Sequence, residues 1–112
     1  SRRSTPNIHY VSGPDDVAGI VEQTREFLEE NEGSKVRITF DSITEMAYYA
    51  DEGRALEATR QLVALVRDHD AVALFHLSNE VHDDDVIAEF TELFDGIVHL
   101  GEDGAVSYEG KD

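Results

Sequence analysis

The run Ala71-Val72-Ala73-Leu74-Phe75-His76-Leu77 is almost continuously apolar and lacks the alternation of a half-buried strand. Such a run is the signature of a strand buried on both faces, hence of a central parallel strand covered by helices. The segments around it fit that role. Upstream, Val36, Ile38 and Phe40 alternate with Arg37 and Thr39, which predicts a strand over residues 35–41 with Asp41 at its carboxyl end. Between the two strands, residues 42–53 read as a loop or short helix carrying Met46, Tyr48 and Tyr49. An amphipathic helix follows, with Leu56, Thr59, Leu62, Val63 and Val66 on one face, and it ends near Asp68-His69-Asp70.

The same pattern extends outward. Asn7-Ile8-His9-Tyr10-Val11 is a β-prone run closed by Ser12-Gly13-Pro14. Asp15 then stands at an N-cap position, and Val17, Ile20, Val21, Thr24, Phe27 and Leu28 recur every three or four residues up to Gly33, a C′ candidate. After the apolar run, residues 78–85 are polar, and Val86, Ile87, Phe90, Leu93 and Phe94 define a last helical face ended by Gly96. Ile97-Val98-His99-Leu100 and Ala105-Val106-Ser107-Tyr108 flank Gly101-Glu102-Asp103-Gly104, a hairpin signal. The order β-α-β-α-β-α-β-β implies an α/β fold: three layers, a mainly parallel sheet clad by helices, and a C-terminal antiparallel β-hairpin.

A chain of 112 residues accommodates one such domain, over residues 7–112. Residues 1–6 read as a flexible lead or expression scar, without the apolar stretch of a signal peptide. The charge is one-sided: 25 acidic residues oppose 9 basic ones, and lysine is confined to Lys35 and Lys111. With 40% hydrophobic residues, this charge reads as a coat on a folded body. The balance resembles that of proteins from salt-accumulating halophiles. It argues against nucleic acid and anionic membranes as partners, since no basic patch offers phosphate contacts. Cysteine is absent, which removes disulfides and thiolate metal sites, and no apolar run is long enough to span a bilayer. A cytoplasmic protein is the expectation.

Several pieces together are similar to one known family. Pro14-Asp15-Asp16 opens a helix, and Ile38-Thr39-Phe40-Asp41-Ser42-Ile43-Thr44 resembles the second nucleotide motif of phosphate-loop ATPases. Residues 71–77 supply the following strand, and Phe94-Asp95-Gly96-Ile97-Val98 leads into the hairpin. From about Asn7 to Tyr108 the chain resembles the C-terminal part of a RecA-fold domain of the KaiC-like type, particularly divergent haloarchaeal HTR-like proteins. The resemblance implies a degenerate nucleotide site at Asp41 and Ser42, with Asp41 helping to hold magnesium. The phosphate loop itself, G-x-x-x-x-G-K-[ST] after a strand, does not occur. Lys35 precedes a strand and Lys111 lies at the tail. No cofactor is therefore expected for this chain alone, and Mg-ATP only with a phosphate loop supplied upstream. The chain by itself reads as non-catalytic; Glu45, beside Asp41, has no positioned phosphate to act on.

In RecA-like sheets the phosphate-loop strand lies between the strands matching residues 71–77 and 97–100. Its absence implies a hydrophobic edge, cured by homodimerisation through that edge or by closure of the gap within one sheet. Other readings remain beside these. Asp41 and Ser42 also suit a strand-terminal loop cap. His76, His82 and Asp83-Asp84-Asp85 could bind a hard cation, or the aspartates could simply favour a helix N-terminus. His9, His69 and His99 read as strand or surface residues. Tyr48 and Tyr49 suit either a contact patch or a cover for the sheet end, and Arg54, Arg60 and Arg67 offset nearby acids. A phosphorelay receiver lacks its lysine after residues 97–100, and an anti-sigma-antagonist lacks its Asp-Ser-Ser-Gly turn. The expected role is regulation or signalling through an unknown protein partner, or the second half of an ATPase.

The formal charge of -16 carries a direct expectation. Self-repulsion weakens as the Debye length falls from about 10 Å at 0.1 M salt to about 3 Å at 1 M. The thermal midpoint should rise steadily between these concentrations of potassium chloride. A midpoint that is flat or falling would contradict the reading of the charge as a high-salt adaptation.

Overall fold

Apolar residues at helical spacing on four segments converge on one core. A computed structural model describes residues 17–40, 43–78, 83–100 and 103–110. In chain order its elements are α1 (Val17–Glu30), β1 (Arg37–Phe40), α2 (Ile43–Tyr49), α3 (Glu52–Asp68), β2 (Val72–Phe75), α4 (Asp84–Thr91), β3 (Gly96–Leu100) and β4 (Val106–Gly110). The chain is thus a mixed α/β protein. The expected first strand, residues 7–11, and the expected N-cap, Asp15, lie outside the described residues.

Helix α3 is the centre of the body. Asp51 caps it, its side chain accepting the Arg54 N–H at 2.7 Å, so one otherwise orphaned first-turn donor is satisfied. Its buried residues are Ala55, Ala58, Thr59, Leu62, Val63, Leu65 and Val66, an arc wider than the predicted stripe. The width follows from its neighbours, since α3 touches α1, α2, α4 and β2. The small Ala55 and Ala58 let those neighbours approach closely. Two threonines share the apolar faces without leaving a buried hydroxyl unsatisfied. Thr59 Oγ1 donates to the Ala55 carbonyl at 2.7 Å, and Thr24 Oγ1 to the Ile20 carbonyl at 2.8 Å.

The ends of α3 and α1 are set by backbone turns. At the end of α3, Ala71 N–H reaches back to the Val66 carbonyl, and Asp70 takes a left-handed φ of 53°. An aspartate tolerates that conformation and here turns the chain straight into β2. Helix α1 ends at Glu30, ahead of the predicted stop. Asn31 Nδ2 caps the Phe27 carbonyl at 2.8 Å, and Gly33 supplies a φ of 83° in the turn beyond.

Strands β1 and β2 pair in parallel, with Ile38 opposite Ala73 and Phe40 opposite Phe75. The Phe40 and Phe75 rings stack with centroids 4.6 Å apart, and Phe94 tilts against Phe75 at 5.0 Å. One face of the pair, with Val36, Ile38, Phe40, Ala71 and Phe75, packs on a single cluster to which α1, α2, α3 and α4 all contribute. Leu28, Ile43, Leu62 and Phe90 form its fully buried heart.

The opposite face corrects a sequence expectation. Val72 is 66% exposed and Leu74 64%, so β2 is covered on one face and open on the other, not buried on both. Hydropathy records what a strand could bury; it does not record whether a second helical layer arrives. Here the four described helices share one core, and the described residues form a helical layer on one side of a two-stranded sheet.

The hairpin forms as predicted. Strands β3 and β4 are antiparallel, with Val98 opposite Tyr108 and Leu100 opposite Val106. Asp103 Oδ1 accepts the Ala105 N–H at 3.0 Å, and Gly104 takes a φ of 83°. The hairpin is a sheet of its own: among the described residues β3 does not pair with β2, so the gap is not closed within one sheet. Residues 42–53, left open between loop and helix, contain α2, whose Ile43, Met46 and Ala47 are buried.

Two substitutions separate packing from polarity on α3. Leu62→Ala should cost about 2–5 kcal/mol in denaturant unfolding, as expected for a wholly buried leucine. Thr59→Val keeps shape and branching and should stay within about 1 kcal/mol, because the Ala55 carbonyl retains its helical partner. Equal losses at both positions would show that α3 is not the packing centre described.

Candidate functional site

Open α/β sheets bind ligands outside the carboxyl ends of their strands, and here those ends belong to β1 and β2. They are tied together by the backbone. His76 N–H donates to the Phe40 carbonyl at 3.2 Å, and Ile43 N–H donates to the His76 carbonyl at 3.1 Å. The Thr44 hydroxyl accepts the Ser78 N–H at 2.8 Å. Both strands therefore leave the sheet at the same level, with α2 starting directly above. Thr44 was not singled out from sequence; a hydroxyl reaching a residue far along the chain leaves no signature in local spacing.

Asp41 and Ser42, the candidate magnesium and nucleotide residues, fall between the anchored Phe40 and Ile43 in sequence and lie outside the described residues. His82 does as well, along with the side chains of Glu45 and Tyr49. Of the candidate cation set, His76 is exposed beyond β2, while Asp83, Asp84 and Asp85 are exposed at the start of α4. Asp83 is the N-cap by backbone, its carbonyl accepting the Val86 and Ile87 N–H groups at 3.0 Å, without a side-chain cap bond. Asp84 and Asp85 occupy the first turn, where carboxylates interact favourably with the helix dipole. Among the described residues, no three His, Asp or Glu side chains come together as a metal site.

Several other charged groups serve the scaffold. His69 Nδ1 meets the Leu65 carbonyl at 2.9 Å and its Nε2 lies 3.3 Å from Glu32, linking the end of α3 to the turn after α1. His99 and Glu109 approach to 3.6 Å across the hairpin. Arg60 pairs with Glu57 on the exposed side of α3. Arg67 does more than offset a local acid: its Nη2 contacts Asp95 Oδ1 at 2.7 Å and the Leu93 carbonyl at 3.4 Å, 28 and 26 residues onward. That contact holds the turn between α4 and β3 against α3.

Beside that turn lies a cleft of about 240 Å³, running from Ala73 and Phe75 on β2 to Phe94, Asp95 and Gly96. Its lining is mainly apolar and includes Val63 and Val66 of α3.

The most prominent surface feature is apolar. Val98, Leu100, Val106 and Tyr108 share one face of the hairpin and are between 62% and 76% exposed. Tyr108 lies over the paired Gly96 and Gly110, so close that a Cβ on Gly96 would stand 2.8 Å from its hydroxyl. Val72 and Leu74 form the open face of the parallel pair, and Tyr48 is 80% exposed on α2. The hairpin face was available in the sequence: the alternation of Val98 and Leu100 with their cross-strand partners aligns four apolar side chains once the turn is fixed.

None of the described helices is long and apolar enough to cross a membrane. No curated protein and no solved structure matches the chain. A family model does match, over residues 1–110, and the chain belongs to that family, the family of unknown function DUF7090.

Proposed function

We propose that this chain is a non-catalytic α/β regulatory or signal-transduction domain of a haloarchaeal cytoplasm, acting through protein-protein contacts. The observation that supports this reading is the placement of large apolar side chains on the surface of a protein with a formal charge of -16. Val72 and Leu74 on one sheet, with Val98, Leu100, Val106 and Tyr108 on the other, lie where water would otherwise meet them. Exposed apolar sheet faces of this kind are characteristic of surfaces covered by another protein. In molar salt the carboxylate coat is screened over a few ångströms, so apolar contacts decide association. The acidic balance disfavours nucleic acid and anionic membranes as the covering partner. A homodimer through a sheet edge is the form of this reading in which the partner is a second copy.

A RecA-like arrangement of the parallel strands belongs to the same proposal, without a third layer over the open face of β2. Its support is the parallel register of Phe40 and Phe75 and the shared level at which β1 and β2 end. The anchoring of Ile43 and Thr44 at that level also favours a second reading, in which the chain is the C-terminal half of a KaiC-like ATPase. In that reading Asp41 would assist magnesium and Ser42 the nucleotide, both in concert with an upstream phosphate loop.

Titration of Mg-ATP into the 112-residue chain in molar potassium chloride separates the two. The first reading expects no saturation into the millimolar range; saturable micromolar binding would overturn it. The apolar surface has its own test. Replacing Val72 and Leu74 together by threonine should leave unfolding free energy within about 1 kcal/mol, because exposed positions contribute little. A loss of several kcal/mol would mean that this face is covered within the chain.

A further inference from the structure

Resting on the reading that the domain works through protein contacts, we propose that the outer edge of β2 accepts one extended segment of a protein partner. That segment adds a strand in the cleft between β2 and the Leu93–Gly96 turn. The backbone carries the first part of the argument. Val72 N–H donates to the Val36 carbonyl and His76 N–H to the Phe40 carbonyl. A strand in a parallel ladder turns alternate residues toward a given neighbour. Ala73 and Phe75 therefore direct their N–H and C=O groups to the side away from β1. On that side β2 has no strand neighbour among the described residues, and the cleft begins there.

The shape of the cleft restricts what can fill it. Its far wall is the turn at Leu93–Gly96, fixed to α3 by the 2.7 Å contact between Arg67 and Asp95. Two equivalent β2 edges from two copies would both have to clear this wall, which favours a single extended segment over a second copy at this edge.

The surroundings specify the chemistry of the partner's strand. Apolar side chains at alternate positions would meet Val63, Val66, Phe75 and Phe94. Asp68, Asp70 and Glu92 stand next to lining residues in sequence and Asp95 is one of them, against Arg67, which is already engaged with Asp95. Basic residues should flank the apolar core of the incoming segment. This mode is strand addition to a sheet edge, with affinity from main-chain hydrogen bonds and selectivity from alternate side chains.

The probe is a synthetic Lys-Arg-Val-Thr-Val-Thr-Val-Arg-Lys peptide, added to the full chain at about 0.5 M and about 2 M potassium chloride to vary screening. Saturable binding is expected, tighter at the lower salt. Amide exchange at Ala73 and Phe75 should slow by at least about tenfold, while Val72 and Leu74, already bonded to β1, stay unchanged. The same peptide N-methylated at alternate residues should not bind. Ala73→Pro should weaken binding at least about tenfold, since it removes an edge donor without touching the β1 ladder; the N-methyl comparison decides the matter if that variant does not fold. Absence of saturation up to about 1 mM with unchanged exchange at Ala73 and Phe75 would overturn the strand-acceptor assignment. So would protection of those amides before peptide is added, or protection that tracks self-association. None of these outcomes touches the non-catalytic reading, which fails instead on micromolar Mg-ATP binding.

Discussion

The contact between the wide buried arc of α3 and the inner face of the β1–β2 pair is the interaction on which the rest depends. Leu62 and Phe90 are almost wholly buried in it, and Phe40, Phe75 and Phe94 seal it from the sheet side. A two-stranded sheet is marginal alone in water, so this pair persists because helices cover one of its faces. The same contact sets the level at which both strands end, and with it the anchoring of Ile43 and Thr44 above them. It also leaves one face and one edge of β2 without a partner inside the described structure.

That asymmetry connects the fold to the proposed role. A polyanion in dense salt loses long-range electrostatic selectivity, because charges are screened within a few ångströms. Recognition then falls to apolar contact and to directional backbone hydrogen bonds. The chain displays both: apolar faces on its two sheets and, along β2, alternate peptide groups turned outward beside a cleft. Arg67 illustrates the economy of the scarce basic residues, fixing the turn that forms the far wall of that cleft.

Much of the fold was legible in the sequence. Val21, Thr24 and Leu28 on α1, Leu62, Val63 and Val66 on α3, and Phe90 on α4 are buried as their spacing predicts, and Val36, Ile38 and Phe40 share the covered side of β1. The hairpin was readable because Asp103-Gly104 imposes its own geometry. What failed was the inference from apolar composition to burial on both faces of residues 71–77. Periodicity tells which residues of a helix face inward; it does not tell on which side of the sheet that helix lies. The Asp51 cap had a local signal, an aspartate directly before a helix-favouring segment, and was overlooked. The Arg67–Asp95 contact had none, since 28 residues separate its partners. The candidate site was legible only as a sequence motif, because Asp41 and Ser42 lie outside the described residues.

One measurement reaches the central claim directly. In methyl-labelled protein in molar potassium chloride, a soluble paramagnetic agent relaxes each methyl group according to its access to solvent. A helical layer on a single side of the sheet predicts strong relaxation at Val72 and Leu74 and weak relaxation at Leu28, Ile43 and Leu62. Val72 and Leu74 as protected as Leu62 would contradict it, showing a second layer over the face described here as open.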